Sequence, residues 1–338
     1  MYIIIRNLLV KVHILELESL CSSTFLITIL VLGFIAPSQY YYSAYGAVSK
    51  AESNDGPIIK DSHLKVEMVS KGLKFPTSMA FLGPNDILVL EKNKGTVQRI
   101  VNGRMLPQPL LDVSVANKIE RGMLGVAISK NLTKHTTYIF LYYTESKTKD
   151  GTDECPSTGH CKPGHEPLGN RLYRYELRDN KLVSPKLLLN LPATPGPAHN
   201  GGAIMIGPDN NIYIPIGDVR GTNPQAEKLP DGRSGILRIT QDGKPVGKGI
   251  LGNKYPLNLY YAYGMRNGFG MDFDPVTKKL WDTENGPSFG DEINLVYPGF
   301  NSGWKKIQGI WEEIESKMGG LRMAMISISL WILLEKEI

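Results

Sequence analysis

The sequence lacks any block of basic residues. Its 38 Lys and Arg exceed its 33 Asp and Glu only slightly, giving a formal net charge of +5. These charges are spread along the chain, without the basic and aromatic interleaving that nucleic-acid binding requires. Nucleic acid is therefore not an expected partner. Gly (35) and Pro (22) are frequent while charged residues make up 21%, which indicates a turn-rich globular protein and not a disordered one.

Cysteine is also scarce, with three in 338 residues. Cys21 lies in the N-terminal apolar region, whereas Cys155 and Cys161 lie in the Gly/Pro-rich insertion "DECPSTGHCKPGHEP". In an exported protein two such neighbours most simply form a loop disulfide. The alternative is a zinc site with His160 and His165, although the Cys-x5-Cys spacing matches no common zinc pattern. Neither interpretation supplies catalysis.

Long apolar runs are confined to the N-terminal region and to the end of the chain. Arg6 and Lys11 precede the run "FLITILVLGFIA" at Phe25–Ala36, and the small residues "SAYGA" follow. This layout predicts that residues 1–46 are a secretory signal peptide, with an N-terminal membrane anchor as the alternative. Residues 47–63 are polar and predict a short linker. We therefore expect a secreted or extracytoplasmic protein whose only membrane contact is that anchor.

Internal repeats indicate the fold. Three segments share an apolar start, a Pro with Asp or Asn nearby, and an alternating strand: "MAFLGPNDILVLEK" from Met79, "AIMIGPDNNIYIPIGD" from Ala203 and "GMDFDPVTKKLWDTEN" from Gly270, with a looser fourth, "LGVAISKNLTKHTTYIFLYYTE", from Leu124. Alternation at Ile212, Ile214 and Ile216 predicts a half-buried strand, and the Pro/Asn/Asp/Gly clusters predict hairpins.

Most repeats are followed by another strand with a central arginine, as in "TVQRIVNGR", "RLYRYELRDNK" and "GILRITQDGK". A repeat of about 45 residues with about four strands is typical of a β-propeller blade. A β-sandwich would need no such repeat. We therefore predict an all-β propeller over residues 64–311, followed by an atypical tail at 312–338.

Polar clusters lie at the predicted strand ends: "ERGMLG" at 120–125, "HNGG" at 199–202, "IGDVRGTN" at 216–223, and "YGMRNGFG" with "ENGPSFGDEINLV" at 263–296. In a propeller the turns of successive blades converge around one mouth of the central channel. The clusters are therefore expected to form one site.

Individual residues of these clusters have chemistry that suits catalysis. His199 is a candidate general base, followed by glycines that would let a flat ligand approach, although a loop histidine bonded to a carbonyl is the alternative. Arg266 offers a cationic fork for an anionic or quinoid oxygen, or else a structural carboxylate pair. Asp218 could hold that guanidinium or a cofactor, or form a turn. Gly286 and Pro287 could contribute only backbone carbonyls, which are hard oxygen ligands that suit calcium.

Together, "HNGG", "YGMRN" and "ENGPSFGDEINLV...GFNSGW" resemble the soluble quinoprotein glucose and aldose sugar dehydrogenases, from about Leu73 to Trp311. That resemblance implies a six-bladed β-propeller that holds pyrroloquinoline quinone and Ca²⁺. It further implies oxidation of a sugar hemiacetal to a lactone, with hydride transfer to the quinone and an external electron acceptor.

The resemblance also implies roles for single residues. His199 is similar to the base that takes the sugar hydroxyl proton, and Arg266 to the residue that steadies the reduced oxygen. Gly286 and Pro287 resemble the carbonyl donors to calcium. The residues that correspond to the cofactor pocket are Glu120, Asp218, Asn223, Arg266, Asn267 and Asn285.

The sequence departs from the family at three points. Glu120 stands where members carry a glutamine, so that it is expected to repel the carboxylates of the quinone, and Asn285 replaces a longer glutamine. About four blade units precede Trp311 where the family has six, so we expect this chain to fold poorly or to bind cofactor weakly. A non-catalytic extracellular binding module and a calcium-dependent lactone hydrolase remain alternative functions.

Overall fold

Alternating apolar segments form antiparallel strands throughout the computed structural model, which describes residues 2–5, 8–14, 60–61, 63–131, 135–149, 164–219, 231–287 and 290–307. The chain divides into two units, residues 1–5 with 9–69, and residues 6–8 with 70–338. The first unit contains a three-stranded sheet in the order β1–β2–β3, formed by Tyr2–Ile5, Leu8–Ile14 and Leu64–Lys71.

Four antiparallel sheets follow one another along the second unit. Blade 1 contains β4 (Pro76–Gly83), β5 (Asp86–Glu91), β6 (Thr96–Val101), β7 (Arg104–Met105) and β8 (Leu111–Asp112). Blade 2 contains β9 (Met123–Asn131), β10 (Thr136–Glu145), β11 (Gly169–Arg178) and β12 (Lys181–Leu191). Blade 3 contains β13 (Met205–Ile206), β14 (Ile212–Ile216), β15 (Gly235–Ile239) and β16 (Tyr260–Tyr263). Blade 4 contains β17 (Gly268–Phe273), β18 (Leu280–Glu284) and β19 (Glu292–Val296).

The blades are arranged as in a propeller, as the repeats predict. Strand β4 lies beside β9, β9 lies beside β13, and β14 contacts β17, so that each sheet faces the next in chain order. Each predicted repeat starts within, or two residues before, the first strand of a blade. Blade 4 has three strands in the described part of the chain, where about four were predicted. One short 3₁₀ helix, Leu257–Leu259, precedes β16, and none of the described helices is long and apolar enough to cross a membrane.

An apolar core fills each interface between successive blades. The sequence of strand β10 is apolar almost without interruption because the strand contributes side chains to two of these cores. Ile139 and Leu141 pack toward blade 1, while Phe140 and Tyr142 pack toward blade 3. Each fully buried side chain of this kind stabilises the fold by about 1.5–3 kcal/mol. Face-to-face packing of the blades is therefore the main source of stability.

The prediction that β14 is half-buried is wrong. All five of its residues are buried. The three isoleucines at 212, 214 and 216 face blade 2, but Tyr213 on the opposite face packs into the core shared with blade 4. A strand in an inner blade has a neighbouring sheet on each face, so that both of its faces are buried.

The predicted hairpins are confirmed, and they explain the recurrent arginines. In the "GPDN" turn the Asn210 N–H donates to the Gly207 carbonyl oxygen at 2.9 Å. In blade 1, Arg99 on the third strand forms a bidentate pair with Asp86 at the start of the second, with N···O distances of 2.8 and 2.6 Å. Arg238 of blade 3 lies 3.7 Å from Asp209. In blades 1 and 3 the arginine therefore links the third strand to the first hairpin, whereas Arg174 of blade 2 pairs with Asp242 of blade 3 at 2.6 Å.

A buried carboxyl group interrupts the core between blades 3 and 4. Asp282 of β18 is 1% exposed, and neither of its oxygens has a hydrogen-bond partner among the described residues. A β-carbon placed on Gly268 would lie 3.0 Å from its Oδ1. Burial, together with the nearby Glu284 and Glu292, raises the pKa of Asp282 to about 8. Asp282 therefore stays protonated near neutral pH.

We predict that Asp282 makes the protein less stable as the pH rises. In the unfolded chain an aspartate titrates near pH 4, so between about pH 4 and 8 only the folded state keeps this proton. In this range the free energy of unfolding of the wild type should fall by up to about 1.4 kcal/mol per pH unit. Asp282→Asn should abolish this fall. Urea denaturation at pH 5 to 8 measures this slope. Asp272→Asn, at an exposed position on β17, is the matched control, and equal slopes for wild type and Asp282→Asn would contradict the prediction.

Candidate active site

His199 lies in the loop between β12 and β13, in a left-handed backbone conformation with φ 61°. Gly201 and Gly202 after it also have positive φ, and a β-carbon on Gly201 would lie 2.1 Å from the Pro215 carbonyl oxygen. The protein's own chain therefore occupies the space beside the Gly201 α-carbon, while the expectation that these glycines let a flat ligand approach stays a prediction. The glycine lets the loop pack closely on β14 and places His199 at the strand's end.

The His199 imidazole is hydrogen-bonded to a carboxylate. Its Nδ1 lies 2.6 Å from Oδ1 of Asp218, which lies two residues after the end of β14, and both residues are buried. A carboxylate can only accept, so Nδ1 carries the proton and Nε2 presents its lone pair. Nε2 has no hydrogen-bond partner in the described part of the chain. This is the arrangement of a general base, and it differs from the loop histidine bonded to a neighbouring carbonyl.

Glu120 joins three of the converging loops through one carboxylate oxygen. Its Oε2 accepts the His199 backbone N–H at 2.6 Å and the Asn267 side-chain amide at 3.3 Å. Asn267 in turn accepts the Gly201 N–H at 3.3 Å. The negative charge of Glu120 is thus partly neutralised by two donors of the protein itself.

Arg266 is joined to Asp218 by a backbone hydrogen bond. Its Nη1 donates to the Asn285 carbonyl oxygen at 2.8 Å, and its own carbonyl oxygen accepts the Asp218 N–H at 2.9 Å. Among the described residues no carboxylate pairs with its guanidinium within 4 Å, which disfavours a structural carboxylate pair. The cationic group is fixed in place but keeps donors for a ligand.

Trp304 connects the two halves of the site, and the sequence interpretation gave it no role. Its indole N–H donates to Oδ2 of Asp218 at 2.9 Å, and its ring lies 5.5 Å from the Arg266 guanidinium carbon. Trp304 lies in the motif "GFNSGW", which pointed to the family. The motif gives no indication of which distant residues the tryptophan contacts. Trp304 thus contacts both Arg266 and Asp218, the hydrogen-bond partner of His199.

Glu284, at the end of β18, is a second residue without a predicted role. Its Oε1 accepts the Arg266 backbone N–H at 2.5 Å, and its Oε2 accepts the Ser302 hydroxyl at 2.5 Å. Burial raises the pKa of Glu284 to about 7, against the opposing effect of these two hydrogen bonds. Its position directly before the predicted "NGP" turn is the only signal that the sequence offers.

The turn at 285–287 presents backbone oxygens. The Asn285 N–H donates to the Asn267 carbonyl oxygen at 3.0 Å, and the Gly286 N–H donates to Asp291 Oδ1 at 2.8 Å. No described residue donates to the carbonyl oxygens of Gly286 and Pro287. These two oxygens are hard donors of the kind that Ca²⁺ prefers, so the turn fits such an ion. Across the described ranges, no three His, Cys, Asp or Glu side chains form a metal-binding group.

The structure thus brings six predicted residues into one connected cluster: Glu120, His199, Asp218, Arg266, Asn267 and Asn285. Asn223, Cys155 and Cys161 lie outside the described residues, as do most of the N-terminal segment and the whole of the tail at 312–338. The pocket role of Asn223 and the disulfide therefore stay predictions, as do the catalytic roles of the residues in the cluster.

Comparison with known proteins identifies the family of the chain. Residues 73–317 match the family model described as Glucose / Sorbosone dehydrogenase. The chain belongs to this family. The resemblance to quinoprotein sugar dehydrogenases predicted from the motifs is confirmed.

Individual members of the glucose/sorbosone dehydrogenase family are similar over most of the chain. Quinoprotein glucose dehydrogenase B of Acinetobacter calcoaceticus is 28% identical over 88% of this chain and 61% of its own length. Aldose sugar dehydrogenase YliI of Escherichia coli is 26% identical over 71% of this chain and 62% of its own length. The PQQ-bound aldose sugar dehydrogenase of Streptomyces coelicolor matches with a TM-score of 0.58 and 28% identity, covering 71% of this chain and 65% of that one. The chain spans less than two thirds of the length of these curated relatives.

We predict that Trp304 stabilises the site through its indole N–H. Trp304→Phe keeps a ring beside Arg266 but removes the donor to Asp218, which leaves a buried carboxylate oxygen without that hydrogen bond. The free energy of unfolding should fall by about 1.5–3 kcal/mol, the usual range for a hydrogen bond to a charged group. Trp281→Phe on β18 is the control in the same blade. Equal losses for the two variants in urea denaturation would contradict this role.

Proposed function

We propose that this chain is an exported oxidoreductase, or the larger part of one, that uses pyrroloquinoline quinone and Ca²⁺ to oxidise an aldose sugar to its lactone. The observation that carries the proposal is the buried His199–Asp218 pair, with Nδ1 2.6 Å from the carboxylate, beside the fixed Arg266 guanidinium. The printed names of the relatives, a quinoprotein glucose dehydrogenase and aldose sugar dehydrogenases, support the same substrate class and cofactor.

His199 would act as the general base. A hydride leaves the sugar carbon only as its hydroxyl group loses a proton, so a base must contact that hydroxyl group. Nε2 is the free nitrogen of the ring, and it would take this proton. The resulting imidazolium is stabilised by Asp218, which also prevents the ring from rotating.

Arg266 would supply the fixed positive charge. When bound, the quinone would supply the two-electron acceptor, and Arg266 would stabilise the negative charge of its reduced form. Because the Arg266 guanidinium is held by the Asn285 carbonyl and the Trp304 ring, it needs no rearrangement to stabilise that charge. Asn267 lies next to Arg266 and is assigned to the same pocket.

Calcium would be held by the carbonyl oxygens of Gly286 and Pro287, where it acts as a Lewis acid toward the cofactor. Glu120 is the residue that fits the cofactor least well, since its carboxylate carries the same charge as those of the quinone. The two hydrogen bonds accepted by its Oε2 reduce this repulsion. An external electron acceptor completes the proposed cycle.

We predict that His199→Ala lowers the rate of sugar-dependent dye reduction by about 10²- to 10⁴-fold, the usual contribution of a general base. The chain is reconstituted with the quinone and Ca²⁺ and assayed against a panel of aldoses and alcohols. His135→Ala, at an exposed histidine, is the control. If His199→Ala reduces the dye as fast as the wild type, His199 is not the base. If the wild type binds ligand but reduces no dye with any sugar, the chain is a binding module, and either result overturns the proposal.

We predict that Asp291→Ala weakens calcium binding, because Asp291 holds the Gly286 N–H and with it the orientation of the turn. Calorimetric titration with Ca²⁺ in the presence of the quinone should show at least about a tenfold lower affinity, equivalent to one lost charge-assisted hydrogen bond. Asp272→Ala is the matched control outside the turn. An unchanged affinity in Asp291→Ala would argue against metal binding by these carbonyls.

A further inference from the structure

Arg121 is among the largest fully buried side chains in the described part of the protein, with 0% exposure. It belongs to the "ERGMLG" cluster and directly follows Glu120, yet the proposed chemistry gives it no role. Burying a guanidinium is costly unless its donors are used, so its contacts indicate what it does.

The guanidinium contacts the segment that leads to His199. Its Nη2 donates to the carbonyl oxygen of Ala193, and to that of Gly196 at 3.0 Å. The neighbouring Glu120 backbone N–H donates to the Pro197 carbonyl oxygen at 3.3 Å. Residues 120 and 121 thus bind three carbonyls within five residues of one loop.

These carbonyls need such donors. The segment from 192 to 198 leaves β12 without continuing in a strand, and Ala193 and Ala198 are 3% and 1% exposed. A buried carbonyl outside a sheet must be paired by a side chain or by water. The guanidinium offers several N–H donors in a fixed geometry, and one of its nitrogens, Nη2, donates to two of these carbonyls.

Other contacts hold the remaining parts of the loop. The Asn200 side chain donates to the Pro197 carbonyl oxygen at 2.9 Å, and Asn170 donates to Asn200 Oδ1 at 2.9 Å. Arg233 donates to the Thr194 carbonyl oxygen at 3.2 Å, but it is also paired with Asp231 near the surface. Arg121 is thus the buried arginine of the set, and it contacts the loop on both sides of Thr194 and Pro195.

We infer that Arg121 is a positioning residue for His199: it fixes the 193–197 segment so that the imidazole Nδ1 lies within hydrogen-bond distance of Asp218. The inference rests on the proposed function of His199 and adds a residue on which its geometry depends. The hydrogen bonds of Arg121 to Ala193 and Gly196 lie on the loop that carries His199, so its loss should affect the base more than cofactor binding.

Nuclear magnetic resonance tests the positioning without cofactor. In ¹⁵N-histidine-labelled full-length protein, the His199 Nδ1–H that is bonded to Asp218 should give a downfield proton signal, assigned by its loss in His199→Asn. Arg121→Ala should shift or abolish this signal. Arg99→Ala is the matched control, because it removes a half-buried arginine with a bidentate partner in blade 1, and it should leave the signal unchanged.

Kinetics and rescue complete the test. A misplacement of about 1 Å costs about 100-fold in rate, so kcat of the reconstituted Arg121→Ala should fall by about that factor while KM changes little. Added guanidinium ion should partly restore both the signal and kcat. Arg121→Lys, which keeps the charge but reaches fewer carbonyls, should be intermediate, and it serves as the test variant if Arg121→Ala does not fold.

Two outcomes overturn the inference. One is an unchanged His199 signal in Arg121→Ala or, where that variant does not fold, in Arg121→Lys. The other is a loss of kcat no larger than that of Arg99→Ala. If the wild type oxidises no sugar, the proposed function fails, whereas the resonance still decides whether Arg121 positions His199.

Discussion

The whole second unit depends on one constraint, which is that the apolar faces of its four sheets must be covered by one another. No single blade could bury both faces of strands such as β10 and β14. Because each blade packs face to face with the next, three cores form between four sheets. The same stacking brings the loops at one end of the blades together, so that residues far apart in sequence contact one another.

The polar cluster continues directly from these cores. The Tyr142 hydroxyl, in the core between blades 2 and 3, donates to the Asn200 carbonyl oxygen at 2.9 Å beside His199. Strand β18 passes from buried Leu280 through Asp282 to Glu284, which holds Arg266. The site residues are therefore held by well-packed strands, which is what a catalytic arrangement with fixed charges requires.

Much of this could be predicted from the sequence, because its signals are local. Alternating apolar residues with Pro/Asn/Asp turns identify the hairpins, and their recurrence identifies the blades. His199 and Arg266 stand out because their side chains have few roles in a strand-end loop. Burial of β14 on both faces could not be read from alternation, since Tyr213 is an acceptable surface residue in any single sheet.

Partners across blades were equally hidden. Trp304 and Asp218 are separated by 86 residues in the sequence and meet only because blades 3 and 4 stack. Arg121 seemed to be one more basic residue, and nothing in its neighbourhood in the sequence indicates that it is buried against the loop at 193–197. Such contacts depend on the exact stagger of the blades, which no local pattern encodes.

The hydrogen bonds that join the site loops include several between backbone groups alone, such as Asp218 N–H to the Arg266 carbonyl and Asn285 N–H to the Asn267 carbonyl. Every amino acid carries these groups. The frame of the site can therefore persist while side chains around it are exchanged during evolution. A lineage can in this way acquire new substrate preferences without rebuilding its scaffold, and a solved structure only 28% identical to this chain has a similar fold, with a TM-score of 0.58.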